Sequence, residues 1–480
     1  MNIKQKAVSG VKWNTVSSVI VTLIQILRLS VLTRLLDKSD FGLIAIATMV
    51  IGFTDIFSQL GLTVAIIHKQ DITEKQYSSV YWTNILLSVV VFSVLWALSP
   101  LISAFYEQPI LSKIIPLLGI QILLNAFGKM FQTIRSKNLE FDYLAKVKII
   151  STILGFVCTL VLAILDFGVY SLILGQLFQV AFTQFIYAYA GRKEHKILWH
   201  LDFREISDFI KIGLYRLGSQ SFDFIASKVD VFLIGKFFGM GDLGIYNLAK
   251  DLIVRPYGTI NMLTSNVASS AFSMIQNELD KVKDYYKKIV TIVTTISIPI
   301  YCVLFLCADL IVNIIYGPNY AEVALLLRIL TFLGIECSIS GQGAILQVSM
   351  GRTDVGFKWT VFRIICSVIV IIASSKFGIV SVAVGQLLLA VISVYFFWRL
   401  AIKPIINIGF SSYVNSFSRP LIVSAIIMAP LIWVSAIVKF DMMWQALYAI
   451  VFVTSFLLYY YKFQHSFVKS LISLITSRSR

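Results

Sequence analysis

The chain has 480 residues, 58% of them hydrophobic and only 14% charged, with mean hydropathy +0.83. A charged share of about half that of soluble globular proteins excludes a soluble enzyme. The net charge of +16 does not indicate nucleic acid, because the basic residues fall in short loops between apolar runs, where anionic lipid and the positive-inside rule account for them.

Apolar runs of bilayer-crossing length, about 20 residues each, fall at 13–35, 41–66, 79–104, 112–134, 147–165 and 168–190. The first carries Arg28 and Arg34 and is too long for the apolar core of a signal peptide, so it is expected to be retained as a membrane helix. A polar stretch over 191–212 separates these six from six more, at 213–238, 243–273, 288–315, 321–349, 359–375 and 377–398. A linker over 401–419 precedes two last runs at 420–438 and 443–461. The chain therefore reads as an all-α integral membrane protein of about 14 transmembrane helices. Its expected parts are an N-terminal six-helix bundle (1–190), a cytoplasmic linker (191–212) and a C-terminal six-helix bundle (213–400). A second linker (401–419), two additional transmembrane helices (420–462) and a basic cytoplasmic tail (463–480) follow.

Lys and Arg alternate in number from loop to loop. One side holds 28, including Lys129, Arg135, Arg192, Lys281, Arg352 and the tail, and the other holds five: Lys38, Lys113, Lys236, Lys376 and Lys439. The rich side is cytoplasmic, which puts both termini there. Trp13, Trp199, Trp359 and Trp398 lie near span ends, where interfacial anchors belong. Cys158, Cys302, Cys307, Cys337 and Cys366 lie in apolar runs without CxxC spacing, and His68, His195, His200 and His465 lie in or near loops. No metal, cofactor or catalytic constellation is expected from them.

The two blocks of six are repeats. Phe167-Gly-Val-Tyr-Ser-Leu-Ile-Leu-Gly-Gln-Leu177 matches Phe377-Gly-Ile-Val-Ser-Val-Ala-Val-Gly-Gln-Leu387 at six of eleven positions. At an offset of 202, Asp40-Phe-Gly42 matches Asp242-Leu-Gly244, and Arg34 matches Lys236. An even number of spans per block makes the repeats parallel, related by an axis along the membrane normal, with a central cavity between them and alternating access as the expected mode of action.

Polar residues inside the spans carry the chemistry, since ionised groups there cost at least about 2.5–3.5 kcal/mol. In span one, Asn14, Ser17, Ser18, Thr22, Gln25 and Arg28 share one helical arc; in span seven, Arg216, Ser219, Gln220, Asp223, Ser227 and Asp230 share the matching one. Span two adds Asp55 and Gln59, and span eight adds Asn247, Lys250, Asp251, Arg255 and Asn261. The forked donors of arginine suit phosphate oxygens, so Arg28, Arg216, Lys250 and Arg255 are candidate anion ligands, with Arg34, Lys228 and Lys236 as secondary ones. Asn14, Gln25, Gln59, Gln220, Asn247 and Asn261 are candidate sugar ligands, and Asp55, Asp223, Asp230 and Asp251 are candidates for coupling to an ion, H+ or Na+. The alternative role is mutual neutralisation: Asp251 with Arg255 four residues on, Arg28 with Asp230, and Asp309, Arg328, Glu336 and Arg363 within their own half. Gln176 and Gln386 follow glycines, a pattern that usually serves helix packing.

The runs Leu32-Thr-Arg-Leu-Leu-Asp-Lys-Ser-Asp-Phe-Gly-Leu43 and Gly52-Phe-Thr-Asp-Ile-Phe-Ser-Gln-Leu-Gly-Leu-Thr-Val-Ala-Ile-Ile67 resemble the Wzx-type polysaccharide exporters of the multidrug/oligosaccharidyl-lipid/polysaccharide (MOP) superfamily, in the branch of colanic acid and teichuronic acid exporters. The resemblance implies the MOP flippase fold in a bacterial inner membrane. It also implies movement of undecaprenyl-diphosphate-linked oligosaccharide repeat units for O-antigen, capsule or exopolysaccharide synthesis. Membrane lipids, a polysaccharide polymerase and a chain-length regulator are the partners it implies. A cation-coupled multidrug antiporter of the same superfamily, or a membrane enzyme acting on the same lipid carrier, are the alternatives; the short outer loops and the lack of an Asp-x-Asp pair count against the enzyme.

Overall fold

The computed structural model describes residues 3–59, 66, 72–202, 204, 207–437 and 442–463. Nearly all of these are helical and none is in a strand. The chain divides into two compact units, Met1–Gly244 and Ile245–Arg480. The tail expected over 463–480 lies outside the described residues apart from the backbone of Phe463.

Unit 1 contains α1 (Ile3–Leu32), α2 (Lys38–Gln59), α3 (Glu74–Tyr106), α4 (Leu111–Lys137), α5 (Phe141–Ile164), α6 (Val169–Glu194) and α7 (Ser207–Phe237), and ends within the first turns of α8 (Gly239–Ile275). Local chemistry sets the boundaries. Thr73 starts α3 in a capping box: its hydroxyl accepts from the Gln76 N–H at 3.3 Å, and the Gln76 side chain accepts from the Thr73 N–H. Glu107 ends α3 in the left-handed conformation, φ 56°, with the Gln108 N–H donating to the Ser103 carbonyl at 3.0 Å.

The repeated Phe-Gly motif opens α6 and its counterpart in unit 2. Gly168 and Gly378 both have positive φ, 52° and 94°, which a side chain would resist. The motif serine follows in each copy, Ser171 Oγ donating to the Gly168 carbonyl and Ser381 Oγ to that of Phe377. The next glycine then lets helices touch: a Cβ at Gly175 would sit 1.9 Å from Thr159 Oγ1, and one at Gly385 would sit 2.8 Å from Val370 Cγ1. Gln176 Nε2 donates to Gln121 Oε1 at 3.0 Å and Gln386 Nε2 to Ser367 Oγ at 3.1 Å. The motif is therefore a packing device in both units.

Unit 2 continues α8 and adds α9 (Leu279–Leu306), a short α10 (Ala308–Ile315), α11 (Glu322–Ser349), α12 (Thr353–Ser375) and α13 (Ile379–Phe397). A π-turn at Trp398–Ile402, α14 (Lys403–Ile406), α15 (Phe410–Ile437) and α16 (Met442–Phe463) complete it, so most of 401–419 is helical. The buried tyrosines Tyr301 and Tyr316 anchor α8 by donating to the carbonyls of Ile253 and Leu248 at 3.0 and 3.1 Å. An apolar core joins α8, α9, α11, α12 and α13 to α15 through Tyr286, Val290, Ile339, Leu346, Trp359, Phe397 and Tyr413. The last helix packs on α9 through Phe452 against Ile298 and Cys302.

Large apolar side chains line the outside of both units, with Trp96, Leu101 and Phe185 in one and Ile369, Leu388 and Val391 in the other each more than half exposed. Such a surface suits hydrocarbon, not water. Among the described residues, twelve helices are long and apolar enough to cross a membrane, against the 14 expected. The two that fall short are α7 and α8, which correspond to spans seven and eight. They are 31 and 37 residues long, but Asp223, Lys228, Asp230, Lys250, Asp251 and Arg255 concentrate charge in them, and Asn261, Ser265 and Ser269 dilute what remains of α8.

Candidate functional site

In unit 1, α2 and α7 flank an open cavity of about 390 Å³ lined by Asp55, Ile56, Gln220, Asp223, Phe224 and Ser227. The lack of a side chain at Gly52 brings α2 against the Phe224 ring, where a Cβ would come within 3.0 Å, and Phe53 packs on the same ring with centroids 5.9 Å apart. This aromatic contact spaces the two helices and leaves the polar residues one turn away facing the cavity. Ser58 Oγ donates to Asp55 Oδ1 at 3.1 Å and to its carbonyl at 2.9 Å, which fixes the carboxylate on α2. Asp223 is exposed into the opening. The cavity thus combines two carboxylates, an amide and a hydroxyl, an oxygen-rich set suited to a hard cation or to sugar hydroxyls.

The structure brings together only some of the residues singled out from the sequence. Asp55, Gln220 and Asp223 share the cavity. Arg28 does not line it: its Nη2 donates to the Leu172 carbonyl of α6 at 3.4 Å. Gln25 lies nearly one turn before Arg28 and Asn14 lies exposed toward the start of α1, about 21 Å along the helix from Arg28. Asp230 is 7% exposed, with Oδ1 accepting from the Val231 N–H at 2.9 Å. Lys228 is half-buried on α7. Arg34 turns back onto its own helix, donating to Ser30 Oγ at 2.7 Å and to the Ser30 carbonyl. Lys236 reaches the α3–α4 turn, with Nζ 2.8 Å from both Glu107 Oε1 and the Phe105 carbonyl. The side chains of Arg216 and Gln59 lie outside the described residues.

In unit 2, Arg255 and Asp251 pair along α8, Nη2 to Oδ2 at 2.6 Å and Nε to Oδ2 at 2.7 Å. Lys250 and Asn247 are half-buried beside them, and Asn261 Oδ1 is buried without a hydrogen-bond partner. The second group of charges also pairs inside the unit. Glu336, 4% exposed, accepts from Arg363 Nη2 at 2.9 Å. Arg328 pairs with Asp309, whose Oδ2 also accepts from Gln445 Nε2 at 2.8 Å. Sequence reasoning missed Phe224 and Glu107. The first carried no polar signal, and the only signal for the second was a lone acid at a turn on the same side as Lys236. Among the described residues there is no cluster of three His, Cys, Asp or Glu that could hold a metal ion.

Comparison with known proteins gives a family match, two relatives and a likeness of fold. A profile of the family described as polysaccharide biosynthesis protein matches residues 31–325. The lipopolysaccharide biosynthesis protein WzxC of Escherichia coli (strain K12) is 25% identical over 425 residues, covering 88% of this chain and 86% of that protein. The teichuronic acid biosynthesis protein TuaB of Bacillus subtilis (strain 168) is 26% identical over 433 residues, covering 88% of each. Among solved structures, the lipid II flippase MurJ in an inward closed conformation superposes with TM-score 0.75 over 95% of this chain and 100% of that one, at 16% identity. That last likeness is one of fold.

Proposed function

The chain belongs to the polysaccharide biosynthesis protein family, and on that premise we propose that it is a flippase for undecaprenyl-diphosphate-linked oligosaccharide in a bacterial inner membrane. The observation that carries the reading is the match, over most of their length, to two envelope-polysaccharide proteins, in a chain whose fold is that of a lipid flippase. A polar cavity on α2 and α7, in a chain whose outer surface carries large apolar side chains, supports it. The family-derived substrate supplies three chemistries, and the chain has groups for each. Hydroxyls and amides of the sugar meet Gln220 and Ser227. The prenyl chain stays in lipid beside the apolar outer surfaces. Each unit taken by itself offers cationic candidates for the diphosphate, Arg28 and Arg216 in unit 1 and Lys250 and Arg255 in unit 2.

Alternating access turns the headgroup over, driven by an ion, H+ or Na+, taken up at Asp55 and Asp223. The excess of Lys and Arg in alternate loops, 28 against five, supports cytoplasmic termini. A polymerase and a chain-length regulator would receive the flipped unit.

The test is translocation of a labelled undecaprenyl-diphosphate oligosaccharide in liposomes holding the purified chain, followed at the outer leaflet with a membrane-impermeant lectin. Transport above protein-free liposomes, reduced in Arg28→Ala, supports the reading. The carboxylate pair in the cavity favours one competitor, a cation antiporter. Uptake of a cationic dye under a proton or sodium gradient, with the lipid unmoved, would establish that competitor instead.

A further inference from the structure

The Asp-x-Gly motif that marks the repeat at an offset of 202 does not line the cavity on α2 and α7, and its two copies meet. A Cβ at Gly42 would lie 1.9 Å from the Met240 carbonyl oxygen, and a Cβ at Gly244 would lie 2.0 Å from that of Lys38. The offset maps Gly42 onto Gly244 and Lys38 onto Met240. The two contacts are therefore one contact made twice, as at a self-complementary two-fold interface. Only glycine allows it, because any side chain would have to occupy the space of a backbone carbonyl. Beside this crossing, Gly235 packs on Ile46, Tyr106 donates to the Phe232 carbonyl at 3.3 Å, and the rings of Phe105 and Phe232 stack with centroids 5.3 Å apart. Lys236 closes the group from the rim through Glu107 and the Phe105 carbonyl.

We propose that the paired Asp-x-Gly turns form a seal on the outer side of the membrane, latched by Lys236 on Glu107, and that transport requires it to open. All three turns involved, α1–α2, α3–α4 and α7–α8, lie on the side poor in Lys and Arg. The cavity lies on the same two helices, 13 residues from Gly42 to Asp55 on α2 and from Asp223 to Lys236 on α7, about 20 Å inward in each case. The seal thus stands between the cavity and the outer face. Arg34, the repeat equivalent of Lys236, donates to Ser30 on its own helix, whereas Lys236 reaches across to Glu107, so the Lys236–Glu107 pair has to break for the α7–α8 corner to leave α3. The assignment rests on the transport reading, but its test needs no substrate.

The experiment labels a Ser227→Cys variant, with the five native cysteines replaced, in oriented liposomes with a membrane-impermeant maleimide. Slow labelling from the outer side is expected with the seal intact. Gly42→Val or Gly244→Val should speed outer labelling by about tenfold, because the bulk of valine opposes the closed contact. Lys236→Glu or Glu107→Lys should speed it roughly two- to fivefold, the range of an exposed ion pair, and the double exchange should return it to the starting rate. Unchanged outer labelling in folded glycine variants would overturn the seal, and failure of the double exchange to restore the rate would overturn the latch. If both glycine variants fail to fold, the charge exchange, on exposed turns, decides alone. A seal confirmed in a protein that moves no lipid would sink the flippase reading and leave the seal standing.

Discussion

Asp223 and Asp55 sit on facing helices around one cavity, yet their surroundings differ: Asp55 accepts from Ser58, whereas Asp223 opens toward the cavity. If Asp223 takes up the coupling ion, Asp223→Asn keeps the shape and removes the charge, and ion-driven translocation should fall at least about tenfold. Exchange of lipid down its own gradient should fall less, and the liposome assay with and without an imposed ion gradient separates the two. The Asp251–Arg255 pair gives a second expectation. Its side chains are 23% and 35% exposed on the Arg and Asp sides, so removing one partner should cost about 1–2 kcal/mol, less than for a fully buried pair. Arg255→Ala should therefore lower thermal stability, and Asp251→Ala/Arg255→Ala should recover most of it. Translocation that stays lost in the recovered double variant would mark Arg255 as a diphosphate ligand; translocation that returns with stability would reduce it to a partner of Asp251.

Elements explain why some of this chain was legible and some was not. The repeated Phe-Gly-x-x-Ser-x-x-x-Gly-Gln-Leu run is readable because every marked position acts locally or on the next helix, through a positive-φ turn, a serine closing it, a glycine contact and an amide bond. The span pattern is readable because bilayer burial is written in composition. Arg28 shows what a helical arc leaves out: the arc gave its direction on α1, but not that α6 would lie beside it with the Leu172 carbonyl accepting from Nη2. Asp309, Arg328, Glu336 and Arg363 did pair within their own half, as charges in a low-dielectric interior must. Gln445 could not be foreseen at all, since its partners lie 135 residues or more away in sequence. Its Oε1 accepts from the Leu310 N–H at 3.0 Å while its Nε2 donates to Asp309, so one amide ties α16 to the start of α10. Gln445→Leu should loosen that end of α16 by about 1–3 kcal/mol. Because Cys307 is buried against the Gln445 carbonyl, its labelling in a variant without the other four cysteines should rise severalfold, whereas unchanged labelling would mean that α16 is held by its apolar contacts alone.

For the molecule as a whole, the closed outer side should respond to pH in a way set by Glu107. That carboxyl is fully exposed, and hydrogen bonding and attraction to Lys236 Nζ hold it below the usual carboxylate range. A group whose pKa is depressed in one state favours that state above its ordinary value and loses the preference as pH falls through the depressed one. With an ordinary glutamate value of about 4.3, the latch should therefore be intact across the physiological range and release only in stronger acid. Spin labels at Ser112→Cys, on the α3–α4 side, and Gly241→Cys, where a side chain meets nothing within 4 Å, would follow the distance between the latched corners. One short-distance population should persist from about pH 8 to about pH 5, with a longer one growing below about pH 4. A transition centred nearer neutrality would place control of the outer side in groups other than Glu107, and Glu107→Gln would then leave that transition where it was.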